Sequence, residues 1–335
     1  MRYEFMYPII RFRRNRKALW LRELIAESNL SISDLVLPLF VVEGHNVKQE
    51  IKTMPGIYRL SIDQIVETAK KAADFGINAI ALFPSIDHSL KSDNADEAYN
   101  LDNLICRTII EIKNANIDIG IICDVALDPY TTSGHDGIVY HGEVDNDISV
   151  KALCNQALVL AKAGVDIVAP SDMMDGRIAA IREYLDKAGF INVGILAYAA
   201  KYASSFYGPF RDAVQSNKKN YLDKSSYQID VRNIKEAMLE IEHDIAEGAD
   251  IVMVKPGMPF LDVIREAANN FNAKIFAYQV SGEYAMLKFA AEAGAINWER
   301  ALIESLISFK RAGATGIFTY AAFEVAEVLK NNNIK

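Results

Sequence analysis

Asp250-Ile251-Val252-Met253-Val254-Lys255-Pro256-Gly257-Met258-Pro259 is a run of four apolar residues that ends in a lysine and a Pro/Gly-rich turn. An apolar run of this length, bounded by turn residues, reads as a buried parallel strand whose last lysine emerges where strand becomes loop. Proteins of the α/β class place their chemistry at such ends. An amine among apolar neighbours is disfavoured in its charged form, so its pKa falls and it gains nucleophilicity toward carbonyls. The competing reading is a strand-end lysine that reaches back to water. The surrounding chain decides between the two.

The turn into this run, Glu247-Gly248-Ala249-Asp250, has three counterparts: Phe75-Gly76-Ile77-Asn78, Ala163-Gly164-Val165-Asp166 and Ala312-Gly313-Ala314-Thr315. Each glycine reads as a helix C-terminal cap leading into a strand. The short apolar runs fall at 35–42, 79–83, 119–123, 167–169, 195–198, 251–254, 275–278 and 316–320. Amphipathic helical patterns lie between most of them, at 61–75, 102–115, 150–163, 177–188, 234–247, 261–270 and 298–312. Strands alternating with helices and no break in composition predict a single α/β (β/α)8 TIM barrel. A doubly wound open sheet is the alternative, but no Gly-x-Gly-x-x-Gly follows the first strand to support it.

A barrel of this type takes about 250 residues, and the chain has 335. The surplus is assigned to an N-terminal arm, residues 1–30, and to an active-site lid, 202–232, within a catalytic barrel spanning 31–335. The arm carries Tyr3, Phe5, Tyr7, Phe12 and Trp20, with a helical pattern from about 13 to 28. It has no core of its own, so it is expected to pack on a neighbouring subunit of a homo-oligomer. The net charge of −8 and the absence of a basic patch argue against nucleic acid or membrane partners. The three cysteines, Cys106, Cys123 and Cys154, are odd in number and widely spaced, which points to a reducing, cytoplasmic setting.

In a barrel, residues just after each strand converge on one face. Here they include Ser85, Asp124, Asp128, Ser171, Asp172, Gln279, Ser281 and Tyr320, with Lys201 three residues beyond the fifth strand and Lys255 directly after the sixth. Adjacent strands then bring two ammonium groups close, and each lowers the pKa of the other. A free amine beside acidic groups, under a lid carrying Arg211, Lys218, Lys219 and Lys224, suits a substrate with a carbonyl and a carboxylate or phosphate, joined to lysine as a Schiff base. A class I aldolase fits these features equally well. A non-catalytic binding barrel is the reading from another class, and it predicts that Lys255→Ala changes no activity. Asp124, Asp128 and Asp136 with His135 form a second dense segment. They read either as a divalent-cation or acid/base cluster or as carboxylates that satisfy turn amides.

Long motifs in one order carry a resemblance. They include Ala81-Leu82-Phe83-Pro84, the aspartate segment 124–137, Ala169-Pro170-Ser171-Asp172-Met173-Met174-Asp175-Gly176-Arg177, Ala200-Lys201-Tyr202-Ala203-Ser204, Phe206-Tyr207-Gly208-Pro209-Phe210-Arg211 and Tyr278-Gln279-Val280-Ser281-Gly282-Glu283-Tyr284. With Val254-Lys255-Pro256-Gly257, they make the chain resemble the porphobilinogen synthase (5-aminolevulinate dehydratase) family nearly end to end. The resemblance implies a lyase of tetrapyrrole (heme) biosynthesis that condenses two 5-aminolevulinate molecules to porphobilinogen with loss of two waters. It also implies a homo-octamer. Lys255 matches the lysine forming the Schiff base with the substrate of the propionate side, and Lys201 the lysine serving the other substrate. Ser281 and Tyr320 match hydroxyls that hold the first carboxylate; Arg211, Lys224 and Gln228 match lid groups on the second. Phe210, Ser171 and Tyr278 join them on the substrate side.

One departure stands out. Many relatives carry three zinc-binding cysteines where this chain has Ala126, Asp128 and Asp136. Without thiolates a catalytic zinc is not expected. The chain resembles the zinc-independent branch, which uses Mg²⁺ or a monovalent cation such as K⁺, with Asp128 and Asp136 as polar replacements. Glu240 matches the ligand of an allosteric Mg²⁺, and Ser133 replaces a histidine common in relatives.

Overall fold

The four Gly-containing turns do what their composition implies, and their polar fourth residue does more. The turn glycines Gly76, Gly164, Gly248 and Gly313 all take positive φ, between +81° and +116°. Asp166 then accepts the amide of Ile121 at 2.8 Å, and Asp250 accepts the amide of Ile195 at 2.8 Å. Each turn carboxylate is thereby stapled to the start of the neighbouring strand. Such local pinning sets strand order and register at the bottom of the sheet.

The computed structural model describes residues 10–214 and 223–332. Tyr3, Phe5, Tyr7, Lys218 and Lys219 lie outside them. Eight parallel strands close on themselves: β1 (Leu35–Val42), β2 (Ala79–Ser85), β3 (Gly120–Val125), β4 (Ile167–Pro170), β5 (Gly194–Lys201), β6 (Ile251–Lys255), β7 (Lys274–Gln279) and β8 (Gly316–Thr319). Closure is by Leu35 opposite Ile317 and Val36 opposite Phe318. The strands are buried on both faces, as continuous apolar runs require. The expected helices form, among them Asn146–Ala163, Arg177–Lys187 and Trp298–Ala312. Ser281–Glu292 and Ala322–Asn332 are helices the periodicity did not reveal. The first begins inside a site motif whose Gly282 obscures the pattern.

Two boundaries differ from expectation in a way that matters. Lys201 and Lys255 are the last residues of β5 and β6, not residues beyond them. Hydrogen bonds reach that far because Tyr202 N donates to the carbonyl of Lys255 at 3.0 Å. The N-terminal helix is also shorter than its pattern: a 3-10 turn at Phe12–Arg16 precedes a helix at only Leu19–Leu24, and neither buries a residue. Without tertiary contacts, so short a helix has little to extend it. Phe12, Trp20 and Leu24 stand 71%, 62% and 73% exposed on this chain. Among the described residues, no helix is long and apolar enough to cross a membrane.

Candidate active site

A β-bulge builds the site. From Ile251 opposite Leu196 and Val252 opposite Ala197, the β5–β6 register slips by one residue, so Val254 faces Ala200 and Lys255 faces Lys201. An extra residue in β5 thus places the two lysines side by side. Both are buried, at 4% and 7% exposure.

Their surroundings differ sharply. Lys255 Nζ sits among aromatic rings: 4.8 Å from the ring centre of Tyr198, 4.9 Å from Tyr278 and 5.3 Å from both Tyr207 and Phe210. Burial, seconded by the Lys201 ammonium, brings its pKa down to about 7, against a smaller upward pull from Asp124. Lys201 Nζ instead donates to Asp136 Oδ1 at 3.1 Å and to the carbonyl of Ser171. The expected effect of Lys201 on Lys255 is present but second to burial, and Lys201 itself is held in an ion pair.

The aspartates are also unlike one another. Burial raises Asp124 to about 7, with Lys255 and then Lys201 pulling it back. Asp136, 1% exposed, is pushed up by burial, but the ammonium groups of Lys201 and Lys224 more than reverse this and hold it well below the carboxylate range. Lys224 Nζ lies 2.8 Å from Asp136 Oδ2 and 3.7 Å from Asp128 Oδ2. The Lys224 charge is therefore already engaged by two carboxylates in this structure. Both oxygens of Asp136 face ammonium groups, so this carboxylate is neutralised by lysines, whereas Asp124 Oδ1 is buried without a hydrogen-bond partner.

Ser171, Phe210, Arg211 and Gln228 line the same pocket, whose open volume is only about 30 Å³, room for a water or so. The Gln228 Nε2 is buried without a hydrogen-bond partner. Just behind Lys255, the Tyr278 and Tyr320 hydroxyls meet at 3.1 Å. Ser281 Oγ accepts from Phe210 N at 2.9 Å. Two strand-end residues turn away from the site. Gln279 bonds Ser305 and Thr319, and Asp172 faces the buried Arg177. Glu240 stands outside the pocket and lines, with Glu236 and Asp175, an adjoining cavity of about 890 Å³ that shares Gln228 with it.

Sequence reading missed three contributors. Tyr227 OH donates to Asp136 Oδ2 at 3.0 Å and lies 3.0 Å from His135 Nδ1, joining the stretch that carries Lys224 and Gln228 to the aspartate segment. Tyr207 OH donates to the Lys255 carbonyl at 3.0 Å. Glu283 accepts from Met258 N and Val280 N, each at 2.5 Å, clamping the loop after β6 to the loop after β7. Tyr207 and Glu283 lie inside the quoted motifs, and Tyr227 is the neighbour of Gln228; nothing in their spacing announced the contact.

Comparison with known proteins agrees with this geometry. A family model described as Delta-aminolevulinic acid dehydratase matches residues 9–328. A protein of that name from Bradyrhizobium diazoefficiens is 54% identical over 321 residues, covering 96% of this chain and 91% of its own. A chloroplastic one from Physcomitrium patens is 50% identical over 95% of this chain and 73% of its own. Among solved structures, the enzyme of Toxoplasma gondii in complex with its reaction product porphobilinogen superposes with a TM-score of 0.94 at 48% identity, covering 97% of this chain and 92% of that one.

Proposed function

The chain belongs to the Delta-aminolevulinic acid dehydratase family, and we propose that its barrel mouth performs that lyase reaction through Lys255 and Lys201. The enzyme condenses two 5-aminolevulinate molecules to porphobilinogen and releases two waters. The observation that carries the assignment of Lys255 is its amine, brought down to about 7 within a shell of four aromatic rings. At neutral pH about half of such an amine is uncharged, against roughly one in 2,500 for an ordinary lysine. It attacks the ketone carbon of one substrate, and the carbinolamine expels water to give the Schiff base. Asp124, raised to about 7, is matched to carry a proton in either direction at that step. The aromatic rings keep bulk water from the imine.

Lys201 serves the second substrate. Its partner Asp136 can take up the ammonium proton only if Lys224 releases some of its hold on that carboxylate, so binding at this side and rearrangement of the ion pairs are one event. The small void beside them requires the same thing. Arg211, Lys224 and Gln228 engage the second substrate's carboxylate, Gln228 through its unpartnered amide. Ser281, Tyr278 and Tyr320 serve the first.

Mg²⁺, not zinc, is the proposed metal. Glu240, Glu236 and Asp175 line one cavity without closing into a three-ligand cluster among the described residues, so an ion held there through Glu240 would keep most of its waters, as Mg²⁺ does. Burial raises the Glu240 pKa, and Asp175 and Glu236 add to it while Arg177 opposes; a bound cation there would relieve the repulsion. The exposed aromatic and aliphatic residues of the arm fit contact with another copy in an octamer. Three free, buried cysteines fit a cytoplasmic protein. Borohydride reduction in the presence of 5-aminolevulinate tests the central assignment: the adduct is expected on Lys255, and its appearance only elsewhere would overturn it.

A further inference from the structure

We propose that Arg59 is a positioning residue of the active site, which it serves from outside the reacting cluster by fixing the helix that carries Phe210 and Arg211. The proposal rests on the reading of the barrel mouth given above. Arg59 lies on the short strand Tyr58–Leu60, opposite Phe40 of β1, and is 5% exposed. A buried guanidinium needs partners, and this one directs two of its nitrogens at a single target. Nε donates to the carbonyl of Ala213 at 2.5 Å, and Nη2 donates to the carbonyl of Asp212. These are the last two residues of the helix Gly208–Ala213. Carbonyls in a helix's final turn lack intrahelical donors and carry the negative end of its dipole, so a forked cation satisfies both the bonds and the field.

The grip is double. Thr53 Oγ1 donates to Asp212 Oδ2 at 2.9 Å, so the segment 53–59 holds both the backbone and a side chain of the helix end. At the other side, Ser281 Oγ accepts from Phe210 N at 2.9 Å. A helix of six residues has almost no stability of its own, so these tethers decide where it lies. It places the Phe210 ring 5.3 Å from Lys255 Nζ and edge-on to Phe83 at 5.5 Å, and it brings Arg211 to the pocket wall. Removal of Arg59 leaves the Schiff-base lysine in its strand but frees Phe210 and Arg211 to drift from the substrate.

The test compares Arg59→Met, which removes both donors at similar length, with Arg59→Lys, which keeps the charge but not the fork. Steady-state kinetics with 5-aminolevulinate, borohydride trapping and thermal unfolding are measured on each full-length enzyme. The expected result is a rise in KM of about 10-fold in Arg59→Met with kcat held within about 3-fold, and a smaller rise in Arg59→Lys. At saturating substrate the Lys255 adduct reaches the unaltered enzyme's extent. A KM equal to that of the unaltered enzyme in both variants overturns the proposal, even if kcat falls, because loss of folded enzyme lowers kcat alone. Should Arg59→Met not fold, Arg59→Lys and Thr53→Val decide the matter by the same KM criterion. Absence of an adduct in the unaltered enzyme would instead defeat the functional reading on which the proposal rests.

Discussion

Lys201 and Lys255 are register partners across β5 and β6, brought level by a single-residue bulge in β5. Although they are neighbours, they are chemically unlike. Lys255 meets aromatic rings and Lys201 meets the Asp136 carboxylate. A pair of identical residues is thus given an aromatic setting at one member and an ionic one at the other through environment alone.

The first prediction concerns pH. Schiff-base trapping at Lys255 is expected to rise with pH through a midpoint near 7, because the neutral amine reacts and burial lowers its pKa. Lys201→Met removes an ammonium that pushes this pKa down, so the midpoint should move up. Asp124→Asn removes a carboxylate that pushes it up, so the midpoint should move down. Shifts of about 1 unit are expected. Movement of both midpoints in the same direction would show that charge at these sites does not tune Lys255.

Tyr227→Phe deletes the hydroxyl that bridges Asp136 and His135. Loss of a hydrogen bond to a charged carboxylate, worth about 1.5–3 kcal/mol, predicts a fall in kcat/KM of about 10- to 150-fold. The melting temperature should hardly move. An unchanged kcat/KM would show that the bridge does not shape the site.

Arg177 is 2% exposed and forks onto Asp244 at 2.6 and 3.0 Å. Arg177→Met should destabilise the protein by about 3–5 kcal/mol, since a buried carboxylate is left unpaired. The double variant Arg177→Met/Asp244→Leu should recover much of that loss in the same denaturant titration. If it is no better than the single variant, packing and not charge is responsible.

Chelation followed by metal add-back separates the ion assignments. Activity lost in EDTA should return with Mg²⁺, and Glu240→Gln should raise the Mg²⁺ concentration for half-restoration by roughly 10-fold. Restoration by zinc alone would contradict the oxygen-donor reading. An arm truncated before residue 25 should give a smaller species in sedimentation velocity.

Much was legible in the chain because parallel barrel strands are buried on both faces and so appear as bare apolar runs. Val252 to Val254 is such a run, and the glycine turns before it mark its start with almost no ambiguity. The end of a strand is less legible. Lys201 reads as three residues beyond an apolar run that ends at Tyr198, yet its backbone completes the sheet. Tyr227 and Arg59 gave no local signal, since their partners are 91 and 154 residues away; Glu283 bonds Val280 three residues before it, but its other partner, Met258, is 25 residues away.

By itself the sequence determined the alternation of strands and helices, hence the barrel and the gathering of both lysines at one mouth. Those properties follow from local burial and turn geometry, which are written in neighbouring residues. Only the tertiary structure decided that the two lysines would meet such different surroundings. That depends on a one-residue slip between strands and on which side chains, remote in sequence, reach each ammonium; a pKa belongs to the assembled environment and not to the residue.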